Sequence, residues 1–393
     1  MNISAVNCSG CGACIESCPR KCISIKKDAA GFLIASIEKE NCIQCGICIK
    51  KCSQKYMFNS KREPIQSFLA FNKNERERFH ASSGGVFGVL AEIIISNGGV
   101  VYGAAFDEKL KLTHKSVSTI EEIRSLCGSK YLQSEVYPVF EEIKQILPQR
   151  KVLFVGTPCQ VYALKQTLGD SYNLFTADLI CHGAPSPGLF EGYKNFLEEK
   201  KSGQIIAYNF RSKEHANAVM SYTVKGTYAK KNQLHSFFMN GDEEPYTMRF
   251  ITNALQSEGC YNCRFTNLDR QGDITLGDYW GFQEAHPEYK DIMGVSLVLV
   301  NSTKGCQLLE KADKLQLVQT KKDQYLLKNY HLCVPPTKSE DRDALYFAFS
   351  KMGFTKKFYN KYFLPNGYRI YILKRKLLVV LATVKRIMKW MSI

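Results

Sequence analysis

Apolar and polar positions along the chain fall into short blocks separated by glycine and proline. Residues 81–106, ASSGGVFGVLAEIIISNGGVVYGAAF, hold one long apolar run between two glycine pairs. The pattern predicts a helix capped by Ser82 or Ser83, a Gly-Gly stop and a strand. Gly84 and Gly85 leave the helix start without side chains, so bare backbone N–H groups there suit a phosphate or pyrophosphate. A plain cap over a buried helix is the other reading of the same letters.

The block 151–169, KVLFVGTPCQVYALKQTLG, predicts a strand over 151–155, a turn at Gly156, a cap at Thr157 and Pro158 in the first helical position. Cys159 then lies in the first turn, where the helix dipole favours a thiolate suited to metal ligation or nucleophilic attack. A buried, inert cysteine fits the spacing equally. Residues 173–193, NLFTADLICHGAPSPGLFEGY, repeat the layout with Cys181, His182 and Gly183 in the turn. Both cysteines fall at the carboxyl ends of predicted strands, where ligands collect in open α/β sheets. A Cys181–His182 nucleophile is disfavoured because adjacent side chains diverge. Between these blocks, CGSKYLQS (127–134) sets Lys130 and Tyr131 in a loop between two helices. That loop suits an anionic or aromatic cofactor, or a plain polar connection.

This alternation of strands and helices predicts an α/β or α+β fold. The polar stretch FNKNERERFH (71–80) reads as a boundary. It divides the chain into a small amino-terminal unit over 1–62, a linker over 63–80, a larger mixed α/β domain over 81–340 and a basic helical tail over 341–393. Within the tail, residues 366–393 alternate apolar runs with Lys374, Arg375, Lys376, Lys385, Arg386 and Lys389. Their longest charge-free run, 377–384, is too short to span a bilayer. It reads as an amphipathic helix lying on anionic lipid, docked on the protein or holding a partner.

Composition narrows the class. A chain of 393 residues, 45% hydrophobic and 23% charged, is globular with room for two or three domains. Of its 16 cysteines, nine fall in the first 52 residues. No charged and apolar leader precedes them, so metal ligation in a reducing cytoplasm is expected rather than a disulfide framework. The formal net charge is +16. It attracts anionic partners, but the basic residues are dispersed and no nucleic-acid motif accompanies them, so nucleic acid is not expected.

Two runs carry the strongest chemistry. Cys8, Cys11, Cys14 and Cys18 are spaced C-x2-C-x2-C-x3-C, and Cys42, Cys45, Cys48 and Cys52 repeat that spacing. It is the bacterial ferredoxin pattern, in which the fourth cysteine of each run reaches the other cluster. Cys8, Cys11, Cys14 and Cys52 are therefore expected to hold one 4Fe–4S centre, and Cys42, Cys45, Cys48 and Cys18 the other. Zinc is the alternative that two copies of the run make improbable. Ser53 stands where a proline usually follows the last ligand, and Cys22 is left over as a packed residue.

Further along, EGCYNCRFTNLDRQGDITLGDYWG (258–281) contains Cys260 and Cys263. A third iron–sulfur cluster completed by Cys159 and Cys181, a redox thiol pair, and zinc or plain packing all fit this pair. Cys127 stays in reserve as a ligand. Asp273, Asp278, Tyr279 and Trp280 place carboxylates and large rings close by, where a flat cofactor can stack. The default for Trp280 is a buried ring with its N–H bonded to an aspartate.

The set SSGG, GSKYLQS, VGTPCQ, DLICHG, GCYNCRF and GDITLGDYWG, in that order over about residues 81–300, resembles the coenzyme F-420 hydrogenase/dehydrogenase beta subunit family. An amino-terminal two-cluster ferredoxin is a common fusion partner there. The resemblance implies a flavoprotein carrying FAD and a 4Fe–4S cluster. It places Ser83, Gly84, Gly85, Lys130 and Tyr131 around the flavin and Cys159, Cys181, Cys260 and Cys263 on the third cluster, while Asp278 and Trp280 join the cofactor candidates from the stacking reading above. The expected function is a cytoplasmic oxidoreductase that relays electrons between the clusters and a two-electron substrate through FAD, with no side chain as covalent catalyst. Its partner is a redox protein or a small-molecule donor or acceptor. The alternative is an adaptor that feeds a partner enzyme and has no substrate of its own. Members also occur in bacteria beside surface-polysaccharide genes, where the deazaflavin is not expected, so the substrate stays open. The sequence does not define the oligomeric state.

Overall fold

The computed structural model describes residues 7–59, 61–216, 221–289 and 293–364. In chain order its strands are β1 (Ile23–Lys27), β2 (Leu33–Ile37), β3 (Gln66–Asn72), β4 (Val100–Phe106), β5 (Leu112–Val117), β6 (Val152–Gly156) and β7 (Leu174–Leu179). They continue as β8 (Gln204–Ser212), β9 (Thr223–Lys230), β10 (Gln233–Asn240), β11 (Ile274–Asp278), β12 (Ser296–Val300) and β13 (Leu315–Gln319). Eight of them form one sheet in the order β13-β3-β12-β11-β7-β6-β4-β5. The four strands β4, β6, β7 and β11 run parallel, and antiparallel strands flank them on both sides.

The parallel strands are covered on both faces, which is why 151–156 and 174–179 read as continuous apolar runs rather than alternating ones. On one face, Val89, Leu90, Ala91 and Ile94 of the helix Val86–Ser96 share a core with Val101, Leu153 and Val298. On the other, the helices Pro138–Ile146 and Pro158–Leu168 bury Phe140, Ile143, Val161 and Leu164 with Val152 and Phe154. A separate three-stranded sheet, β10-β9-β8, joins the helices Pro187–Lys201 and Arg342–Met352 in an aromatic core that contains Phe190, Tyr193, Phe210, Tyr246 and Phe363.

Register decides which loops meet. Asp278 of β11 pairs with Ser296 of β12, and Ser296 pairs with Ala70 of β3. The carboxyl ends of β6, β7 and β11 therefore lie on one edge with the start of β12 and the end of β3. That edge collects the loops after Gly156, Leu179, Asp278 and Asn72.

The architecture is mixed α/β with a small ferredoxin-like amino-terminal segment, as the alternation of elements predicts. Three local expectations are corrected. Residues 63–80 are not a linker, because β3 is an inner strand between β12 and β13. Its charged continuation still belongs to the body: Arg78 is 3% exposed, since its guanidinium donates to the Gly294 carbonyl and lies over the Phe71 ring. Nor does the tail begin at 341, because Leu345, Phe358 and Phe363 are fully buried in the aromatic core. The amphipathic stretch 366–393 lies outside the described residues. Finally, neither Ser82 nor Ser83 caps the helix Val86–Ser96, whose cap is Gly85 in the left-handed region at φ 81°. Ser82 Oγ instead accepts the Ser129 N–H at 2.8 Å and Ser83 Oγ donates to the Val295 carbonyl at 2.9 Å, because the loop is seated across the sheet edge.

The amino-terminal segment is docked on the body rather than tethered to it. Ser186 Oγ donates to the Ala30 carbonyl at 2.6 Å and Leu33 N–H donates to Gln133 Oε1 at 2.8 Å. At the β1–β2 turn, Gly31 adopts φ 77°, and a Cβ there would fall 2.7 Å from Gly188 Cα. Gly31→Ala adds left-handed strain and a backbone clash, together about 2–4 kcal/mol. The expected outcome is a lower thermal midpoint and faster proteolysis between residues 59 and 66, read by limited digestion against the parent.

Candidate iron–sulfur and cofactor site

Two short turns repeat at the amino terminus. Gly12 and Gly46 take left-handed φ values of 84° and 74° and open the helices Ala13–Glu16 and Ile47–Lys50. The backbone thereby wraps each cysteine run around a concavity. One opening is lined by Cys8, Cys11, Cys14 and Cys52. The other is lined by Cys18, Cys42, Cys45 and Cys48, with Cys22 beside them. Cys52 thus faces the first three cysteines of the other run, and Cys18 does the same in return. Gly10 and Ala35 N–H groups both donate to Cys8 Sγ at 3.4 Å. Burial raises the Cys18 thiol, but the N–H and thiol of Cys22 and the N–H groups of Arg20 and Lys21 outweigh it, leaving Cys18 below the usual range. Ser53, fully buried, contacts Cys11 Sγ at 3.4 Å and Ser9 Oγ at 3.2 Å, and opens a tight turn without the proline.

The third set assembles from three distant segments. Thr157 precedes the helix Pro158–Leu168, with Gln160 Oε1 accepting its N–H at 2.9 Å, and this turn presents Cys159. Cys181 follows β7, and its sulfur accepts the Gly183 N–H at 3.3 Å. Gly183 passes so close to the third segment that a Cβ would lie 3.1 Å from Cys260 Cβ. Burial raises all four thiols. Cys159 further feels Cys11, Cys181 and Cys263, while Cys260 feels Cys181 and Cys263. The helix dipole therefore does not decide the state of the free Cys159 thiol, because desolvation outweighs it. Among the described residues, no three His, Cys, Asp or Glu side chains are drawn together tightly enough for a single metal ion.

A buried ion pair holds this arrangement. Arg270 donates to Asp178 Oδ1 at 3.0 Å, with side chains 2% and 0% exposed. It also donates to the carbonyls of Phe265 and Leu179, while Gln271 and Gly272 N–H groups donate to Asp178 Oδ2. The loop that carries Cys260 and Cys263 is thus latched to the end of β7, next to Cys181. The reserve thiol Cys127 packs elsewhere, against the core under the helix Val86–Ser96.

The residues assigned to a flavin gather at the same sheet edge, with differing roles. Gly84 cannot be larger, since a Cβ would fall 2.4 Å from the Ala70 carbonyl oxygen. Lys130 turns inward and donates to the Leu126 and Cys127 carbonyls at 2.9 and 2.7 Å; burial pushes it down to about 8. Tyr131 stacks on Phe250 with centroids 4.2 Å apart. Asp278 pairs with Arg211 rather than with the Trp280 indole, and Trp280 is 42% exposed. Asp273 lies at the far end of β11, accepting from Thr176 and Ser302, and is structural. His182 bonds Asn253 and packs against Phe250 and His331, so it is no partner of a Cys181 nucleophile.

Sequence reasoning missed Arg211, Lys213, Tyr222 and Arg270. Arg211 lies over the Tyr222 ring at 4.7 Å, and Lys213 Nζ donates to the Ser83 carbonyl at 2.7 Å. No spacing announces them, since they come from the end of β8, the segment before β9 and a loop.

The two amino-terminal cysteine runs, joined to an α/β body, are those of an iron–sulfur protein. Residues 7–56 match the 4Fe–4S dicluster domain, and residues 149–324 match the C terminus of the coenzyme F420 hydrogenase/dehydrogenase beta subunit. The chain joins these two units and is related to the F420 hydrogenase beta subunit. A chain of the xenon-derivatised F420-reducing NiFe hydrogenase complex from Methanosarcina barkeri is similar at 16% identity and a TM-score of 0.47, covering 70% of this chain and 90% of that one. No curated protein matches the chain.

Replacing Asp178 with Ala leaves Arg270 buried and unpaired, which costs about 3–5 kcal/mol. The thermal midpoint should fall, and Cys260 and Cys263 should become alkylated faster than Cys159 under anaerobic iodoacetamide, read by peptide mass spectrometry.

Proposed function

We propose that the chain is an iron–sulfur flavoprotein that carries single electrons from an outer 4Fe–4S cluster, through an inner one and a third, to FAD. The observation that supports this reading is the packing of Cys159 against the buried apolar cluster that includes Cys11, one of the thiols lining the inner opening. From there His182, Phe250 and Tyr131 make a run of ring contacts toward the Arg211–Asp278 pair. Arg211 Nε is buried without a hydrogen-bond partner. A buried orphan donor beside bare glycines fits an acceptor-rich group such as FAD. FAD supplies the exchange between one- and two-electron chemistry that clusters alone lack.

In this reading Gly84 keeps the backbone tight to the sheet, and Arg211 supplies the donor. Tyr222 lies under the Arg211 guanidinium, Tyr131 stacks on Phe250, and half-exposed Trp280 follows Asp278 by two residues. Lys130 acts indirectly, by fixing its own loop. The substrate is a two-electron acceptor or donor. The resemblance supports either a deazaflavin or a step in surface-polysaccharide synthesis.

Electrons enter at the outer site, where Cys45 and Ile43 are exposed and Arg20, Lys21, Lys39 and Lys50 reach solvent. Glu16, Glu38 and Glu40 are exposed there too, and the basic side of this mixed surface suits an acidic carrier. Reduction by such a carrier is expected to slow several-fold between 50 and 300 mM salt, measured by stopped-flow bleaching; a salt-independent rate would move the entry point elsewhere.

Anaerobically purified protein should hold roughly twelve irons and one FAD per chain. Cys260→Ser with Cys263→Ser should remove about four irons and spare the dicluster signals, whereas Arg211→Ala should lower FAD retention at least tenfold with iron unchanged. Cluster reduction without turnover of any soluble acceptor would favour the adaptor reading. About eight irons without flavin would refute the relay.

A further inference from the structure

The outer opening holds one thiol more than a cubane uses. Cys18, Cys42, Cys45 and Cys48 line it, and Cys22 lines it as a fifth. The inner opening has only the four thiols of Cys8, Cys11, Cys14 and Cys52. Cys22 is 3% exposed and immediately precedes β1. Its backbone is pinned on both sides: Ile23 pairs with Ile37, and Glu38 N–H donates to the Cys22 carbonyl at 2.9 Å. Only rotation about Cα–Cβ moves its sulfur. That sulfur lies 3.5 Å from Cys18 Sγ.

A small buried thiol is ordinarily inert filling. Filling accounts for the burial of Cys22 beside Ile23 and Ala35. It does not account for a sulfur on the wall of the opening, in contact with the one ligand that the first run sends across to the second. Every other ligand of the outer site comes from the run that contains Cys42, whereas Cys18 and Cys22 sit four residues apart in the preceding stretch, with Cys42 also beside Cys22.

We propose that Cys22 is a reserve ligand for the iron that Cys18 binds. At rest the cluster is held through Cys18, and the Cys22 S–H donates to the Cys18 sulfur. When the link to Cys18 opens, Cys22 takes the same iron. The Fe–S bond to Cys18 breaks and an Fe–S bond to Cys22 forms, and the Cys22 proton ends on the Cys18 sulfur. No electron is gained or lost and the cluster keeps its charge. The location gives the exchange its use. Cys45 is exposed at the outer site while Cys11 and Cys14 are buried at the inner one, so the outer cluster meets water and oxidants first. A spare thiol keeps that cluster on the chain while one bond is open. The proposal rests on the second run holding a 4Fe–4S cluster, as the dicluster match supports.

The test uses the full chain, purified without oxygen, with iron per chain and the spectra of the reduced clusters as readouts. Cys18→Ala should keep the parent's iron content and show altered outer-cluster g-values, because a different sulfur binds. Cys18→Ala with Cys22→Ala should lose about four irons and retain the inner-cluster signal. Both variants share any defect from losing Cys18, so their difference reports Cys22 alone; equal iron in the two overturns the proposal. In the native background, Cys22→Ala should purify with full iron yet lose the outer cluster several-fold faster in air. An unchanged decay rate likewise overturns it, even if the Cys18 variants cannot be purified. A parent that shows no second dicluster signal would instead defeat the underlying cluster reading.

Discussion

The ion pair between Arg270 and Asp178 is the constraint on which the site depends. Both side chains are removed from water, so neither tolerates loss of the other. Asp178 closes β7, and Arg270 sits in a loop with little regular structure. Their pairing, reinforced by the Gln271 and Gly272 N–H groups, fixes that loop over the strand end. The close approach is possible because Gly272 has no side chain: a Cβ there would meet Asp178 N at 2.5 Å. Cys260 and Cys263 take their places beside Cys181 as a consequence.

The same logic of close approach docks the dicluster segment. Gly12 packs on Tyr137, Gly31 on Gly188, and Gly259 against the Asn7 carbonyl, each at a distance that admits no Cβ. Three glycine contacts on three sides leave the segment one seat on the body. Cys11 and Ala13 enter the core that also holds Val161 and Phe140. This docking packs Cys159 against the same buried core. A flexible linker would not hold that packing. The residues between the cluster segment and the main helices instead form an inner strand.

At the candidate cofactor edge, charge is placed more economically than the sequence suggests. Lys130 reads as an anion ligand in the sequence, yet its ammonium bonds two carbonyls of its own loop. Asp278 is neutralised by Arg211, which arrives from the smaller sheet. The site is therefore shared between two sheets, and the aromatic core beneath the smaller one carries Phe250 under Tyr131.

By itself the sequence determined what short-range spacing encodes. The two cysteine runs and the strand-turn-helix units around Cys159 and Cys181 were legible because each depends on a few consecutive residues, as did the mixed α/β class. It misplaced 63–80 and 341–364, because the exposed charges there suggested a solvated stretch. In fact Leu69, Ala70, Leu345 and Phe358 are buried, and Arg78 and Arg342 are sheltered by backbone carbonyls and ring faces. What only the tertiary structure decided are the long-range choices. These are the seating of Cys260 and Cys263 beside Cys181, the pairing of Arg211 with Asp278, and the fifth thiol at the outer opening. Each joins segments with no sequence relation, and what joins them is strand register and buried charge, which no local pattern records.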